Sequence, residues 1–113
     1  RPVDKLSRYR EAVRRLVEEY GGQKPSHGEI DSYPVIDPVR DHYLAVQAGW
    51  DRRRRVQGAF LHIDIIDGKV WVQFNGTDRR IADELVAAGV PKEDIVLGDK
   101  PPDVRQYTGY AVG

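Results

Sequence analysis

The chain reads as an α+β domain: a four-stranded antiparallel meander sheet, an N-terminal helix and a later helix packed on one face, and an irregular C-terminal tail. Three observations lead there. Apolar residues recur at three- and four-residue spacing up to Tyr20, and the middle of the chain alternates with period two. Between two alternating runs stands Asp67-Gly68, a dipeptide that accepts the positive φ angles of a two-residue type I′ turn.

The first helix is expected from about Asp4 to Tyr20. Leu6, Tyr9, Val13, Leu16, Val17 and Tyr20 form its apolar stripe. Glu11 with Arg15, Arg14 with Glu18 and Arg15 with Glu19 are placed to pair on the wet side, and Gly21-Gly22 ends the helix. From Ser26 to Ile36 the pattern is mixed. Pro34 cannot donate to a ladder, so this segment is predicted as an edge strand. Asp41 to Trp50 alternates, with Leu44, Val46, Ala48 and Trp50 assigned to the core face and Tyr43, Ala45, Gln47 and Gly49 to the other. Asp51 to Arg54 makes a turn, and Arg55 to Ile66 is a long strand.

Placing Asp67 and Gly68 at the turn pairs Ile66 with Lys69, Ile65 with Val70, Asp64 with Trp71, Ile63 with Val72 and His62 with Gln73. One face then carries Leu61, Ile63, Ile65, Val70, Val72 and Phe74 as core. The other carries His62, Asp64, Trp71 and Gln73, too polar for a core and too aromatic for an ordinary wet face, so a cover is expected there. Thr77 is predicted as the N-cap of the second helix, with Ile81, Leu85 and Ala88 buried and Gly89 closing it. Pro91 suits a short following helix, Ile95-Val96-Leu97 is a buried stub, and Pro101-Pro102 opens the tail.

A length of 113 residues fits one domain spanning 1–113. With 18 basic and 18 acidic residues the net charge is zero, so no global field draws the chain to nucleic acid or to a membrane. The absence of cysteine excludes disulfides, thiolate zinc sites and cysteine nucleophiles. No apolar run approaches the roughly 20 residues of a membrane helix, and a soluble cytoplasmic domain is expected.

His62 and Asp64 share a face, and an imidazole beside a carboxylate can serve as a general base or a metal ligand. The other histidines, His27 and His42, stand at no ligand spacing. A hydrogen-bonded structural or interface pair is therefore expected, with no catalytic residue, metal or cofactor, and a small hydrolase or metal enzyme is the rival. Arg52, Arg53, Arg54 and Arg55 are candidate phosphate contacts, although alternate residues entering a strand point opposite ways. The candidate interaction face is Tyr43, Gln47, His62, Asp64, Trp71 and Gln73. Trp71 there suits an oligomer contact, whereas Trp50 is expected in the core.

The chain also resembles the XisI family, controlling factors for excision of the fdxN element in cyanobacteria. The resemblance runs through Arg8-Tyr9, Asp41-His42-Tyr43, Gly49-Trp50-Asp51, Arg54-Arg55-Val56 and Gly58. It continues through His62-Ile63-Asp64-Ile65, Asp67 to Gln73, Gly76-Thr77, Gly89 to Gly98, Pro101-Pro102 and Tyr107-Thr108, covering nearly the whole chain in order. It implies an α+β fold and a non-enzymatic accessory role in programmed DNA rearrangement during heterocyst differentiation. The implied partners are an XisH-type companion protein and a site-specific recombinase. A homo-oligomer acting through protein contacts is expected. The alternatives are a direct DNA-binding module using Arg52 to Arg55 and an antitoxin-like partner of the XisH-type protein.

Overall fold

A computed structural model of the chain describes residues 4–23 and 28–113. The elements run α1 (Lys5–Gly21), β1 (Glu29–Asp37), β2 (His42–Asp51), β3 (Arg54–Ile66), β4 (Lys69–Asn75), α2 (Ile81–Ala87), a 3-10 turn (Lys92–Asp94), β5 (Ile95–Leu97) and α3 (Pro102–Arg105). The sheet order is β1-β2-β3-β4-β5, antiparallel except for β4 and β5, which are parallel. Among the described residues no helix is long and apolar enough to cross a membrane.

Helix α1 starts where Asp4, in extended backbone, accepts a 2.8 Å hydrogen bond from the amide of Ser7. Its predicted stripe is buried: Tyr9, Val13, Leu16, Val17 and Tyr20 pack on Tyr43, Ala45, Leu61, Ile63 and Ile65 of the sheet. Each fully buried Val or Leu contributes about 1.5–3 kcal/mol. On the wet side Arg14 pairs with both Glu11 and Glu18, and Arg15 turns to Glu11 rather than to Glu19. Arg10 forks onto Asp41 at 2.8 and 3.0 Å and ties the helix to the β1–β2 turn.

Two tyrosines of α1 hold the segment after the sheet. Tyr9 donates to Asp94, and Tyr20 donates to Glu84 of α2 at 2.7 Å. A third phenol, that of Tyr43, donates to Asp41 at 3.0 Å. Burial first, and these carboxylate partners second, push all three phenols up to about 12.

The proposed edge strand is present as β1, beginning at Glu29; residues 26 and 27 lie outside the described residues. The Asp67-Gly68 turn takes φ of 51° and 78°, as a type I′ turn requires. Four of the five predicted β3–β4 pairs form, from Ile66–Lys69 to Ile63–Val72.

Three expectations need correction. The sheet has a fifth strand, because the β4–α2–β5 crossover returns Ile95-Val96-Leu97 alongside Val70-Trp71-Val72. Thr77 does not cap α2. Asn75 Oδ1 accepts the Thr77 amide at 2.9 Å, and Thr77 Oγ1 accepts the Arg79 amide at 3.2 Å, so the helix starts only after Arg80. Ala88 is exposed. The buried place belongs to Val90, whose amide reaches back to the Leu85 carbonyl at 3.0 Å around Gly89, where φ is 105°.

Two consequences are testable. At Gly21 a Cβ would lie 2.7 Å from the Pro34 nitrogen of β1. Helix propensity favours Ala over Gly by about 1 kcal/mol, yet Gly21→Ala is expected to destabilise by about 1–3 kcal/mol in urea unfolding, because backbone meets backbone. The phenols of Tyr9, Tyr20 and Tyr43 ionise near 10 when unfolded and near 12 when folded. Their contribution is complete below pH 10 and lost as pH rises towards 12, so unfolding free energy measured from pH 8 to 12 should fall steeply only above 10.

Candidate functional site: the open face of the sheet

Strand register sorts the residues opposite the helices into cross-strand rows. One row runs Asp37, His42, Asp64, Trp71 and Val96; the next runs Val35, Leu44, His62 and Phe74. Beyond them come Tyr33, Val46 and Ala59, and at the far end Glu29, Trp50 and Arg55. Tyr33, Val35, Trp50 and Phe74 are 48%, 44%, 51% and 48% exposed. Tyr33 and Val35 are same-face neighbours on β1, Leu44 and His62 stand between Val35 and Phe74, and the row Asp31, Ala48 and Gln57 separates Trp50 from the rest.

The C-terminal tail covers only its β4–β5 side. Ala111 bridges in parallel to Val96, with its amide 2.8 Å from the Ile95 carbonyl. The Arg105 guanidinium stacks 5.1 Å from the Trp71 ring centre, and Lys69 Nζ reaches the Gly113 carbonyl. Tyr110 packs on the opposite side against the helix-bearing core, its hydroxyl 2.9 Å from Asp83. The tail thus straddles β5, and Trp71 is half-buried beneath it.

Near the β3–β4 turn lies Asp64, among the described residues the only charged one that is buried. Its Oδ1 sits 2.9 Å from His42 Nδ1 and 2.9 Å from His62 Nε2, while Oδ2 accepts from Gln73 Nε2 at 3.1 Å. Burial alone would push the carboxyl up, but hydrogen bonds from His42, His62 and Gln73 together hold it below the ordinary carboxylate range. His42, His62 and Asp64 also form a group whose ligand atoms lie within 4.8 Å of one another, suited to a metal ion.

Four of the six predicted face residues meet here: His62, Asp64, Trp71 and Gln73. Tyr43 and Gln47 do not. Tyr43 is fully buried beneath α1, paired with Ile63, and Gln47 follows it at the same parity along β2. The assignment of β2 is inverted because both its sides are apolar. Tyr43 enters the core because Asp41 satisfies its hydroxyl, and Trp50 accordingly stands on the open face. Phe74 is also on this face, because Gln73 is an extra residue in β4: Ile63 faces Val72 while His62 faces Phe74. His42, set aside in the sequence as standing at no ligand spacing, joins the cluster. Its position 22 residues before Asp64 gives no local spacing, and only the β2–β3 register brings the two together. His27 lies outside the described residues.

Arg52 to Arg55 form the β2–β3 turn and the start of β3, all exposed. Arg55 stacks 5.3 Å from the Trp50 ring centre, and among the described residues none of the four joins an ion pair. A groove of 960 Å³ between α1 and α2, lined by Ala12, Leu16, Leu85 and Ala88, lies on the other side of the molecule and holds none of these groups.

Fold and face together define a small α+β protein with one helix-covered and one open sheet face. A family model described as "XisI protein" matches residues 3–112, and the chain belongs to the XisI family. It is similar to the crystal structure of a XisI-like protein from Anabaena variabilis, with 42% identity over 96% of this chain and 99% of that one, at a TM-score of 0.88. It is also similar to the fdxN element excision controlling factor XisI from Anabaena variabilis, with 34% identity over 97% and 100% of the two chains and a TM-score of 0.83. No curated protein matches it.

Proposed function

We propose that the chain is a non-catalytic accessory factor controlling excision of an fdxN-type DNA element in the cytoplasm of a heterocyst-forming cyanobacterium. It acts through protein contacts made by the open sheet face, first of all with a second copy of itself. The observation that carries this reading is that four large apolar residues, Tyr33, Val35, Trp50 and Phe74, are exposed on one face. Aromatic residues anchor interfaces, and a stable contact has a dry centre with a polar rim. The name of the 34% identical relative supplies the process. The XisH-type companion and the recombinase meet the assembled form.

Sedimentation equilibrium tests this reading. The wild type is expected to self-associate in the micromolar range, and Val35→Asp with Phe74→Asp is expected to be a folded monomer. A wild type that stays monomeric throughout that range overturns it.

The arginines of the β2–β3 turn, which join no ion pair among the described residues, favour a second reading, a direct grip on DNA phosphates. It requires duplex binding whose log affinity falls by about 0.9 per phosphate contact with log salt. In fluorescence anisotropy, replacing Arg52, Arg53 and Arg54 by Ala is then expected to reduce the slope by up to about three such increments. No binding near physiological salt leaves protein contacts as the only route.

A further inference from the structure

Histidine and carboxylate side chains from adjacent strands converge at one point of the open face, and their donor chemistry is specific. Two imidazole nitrogens and one carboxylate oxygen, in a chain with no cysteine, suit zinc, cobalt, nickel or ferrous iron rather than the all-oxygen cages of calcium and magnesium.

The distances fit that chemistry. Ligands at about 2.1 Å from one ion lie about 3.0 Å from each other at octahedral angles and about 3.4 Å at tetrahedral ones, so a small opening of the group completes either geometry. Asp64 Oδ1 already stands 2.9 Å from both His42 Nδ1 and His62 Nε2. The remaining separation, between the two nitrogens, lies within the 4.8 Å span of the group. The His42 side chain is 52% exposed, so its ring can turn to close that side.

The cluster is also held in place. His42 and Asp64 are directly opposed in the β2–β3 ladder, and His62 is two residues from Asp64 on the same strand. Gln73 Nε2 anchors Oδ2 at 3.1 Å and leaves Oδ1 towards the histidines, as an outer-shell partner of a metal-bound carboxylate does. Asp64 is 7% exposed, so its position is set by packing rather than by solvent.

From this geometry we infer that His42 Nδ1, His62 Nε2 and Asp64 Oδ1 bind a single first-row divalent transition metal ion, with Gln73 as positioning residue. To bind, each imidazole must turn a lone pair on that ring nitrogen to the ion and carry its proton on the far one. The site stands whether or not a partner docks on the face.

The test is titration of the chelator-treated chain with cobalt(II), followed by visible d–d absorption and by competition with zinc(II). The expected result is one cobalt per chain, displaced by zinc. Gln73→Ala should weaken binding about tenfold, within the roughly 10–100-fold range of an outer-shell partner. His42→Ala and His62→Ala should exceed that range, with circular dichroism confirming that they fold. These histidines are at least one-third exposed, which makes them safer variants than Asp64→Ala. Failure of the wild type to take up cobalt or zinc up to millimolar metal overturns the inference. So does wild-type affinity in the His42→Ala, His62→Ala double variant.

Discussion

The contact between α1 and the centre of the sheet governs the rest of this structure. One 17-residue helix lays Tyr9, Val13, Leu16, Val17 and Tyr20 across β2 and β3. Its phenols at either end of that stripe fix the later segment through Glu84 and Asp94. A helix three turns longer than α2 covers the middle of the sheet, and it can cover one side only. The other side inherits whatever the strands present at alternate positions, and here that includes several large apolar groups and one buried carboxylate.

That carboxylate would be costly in isolation, since removing a charge from water is repaid only by partners of good geometry. Asp64 receives its partners from three strands: His42 on β2, His62 on β3 and Gln73 on β4. A slip of one residue by β2 or β4 would move His42 or Gln73 to the opposite face and away from Asp64. The cluster therefore reports register, and it belongs to the fold as much as to any ligand.

Much of this was legible in the sequence, for physical reasons that can be named. The helix stripe, the Asp67-Gly68 turn and the pairing from Ile66–Lys69 to Ile63–Val72 are local, and local periodicity encodes them. Phe74 was misplaced because an extra residue in a strand leaves no mark in an alternating pattern. Tyr43 was misplaced because β2 is apolar on both sides, and the satisfaction of its hydroxyl depends on Asp41 in the preceding turn. The fifth strand was unreadable from three residues, since its pairing depends on a crossover. Two of the three members of the histidine–aspartate cluster, His62 and Asp64, were visible, whereas His42 arrives by long-range pairing.

The tail's bridge to β5 bears on how copies of this chain can meet. Backbone groups at the margin of a sheet invite another strand to add, and strand addition repeats without limit into filaments. Here Ala111 occupies part of the β5 margin, and β1 at the opposite margin carries Pro34, which has no amide hydrogen to give. Open-ended growth is thus obstructed at both ends of the sheet while its broad side stays accessible. Were two copies to meet through that side, the contact would be isologous, and a two-fold pair would use up the very surface that formed it and close the assembly.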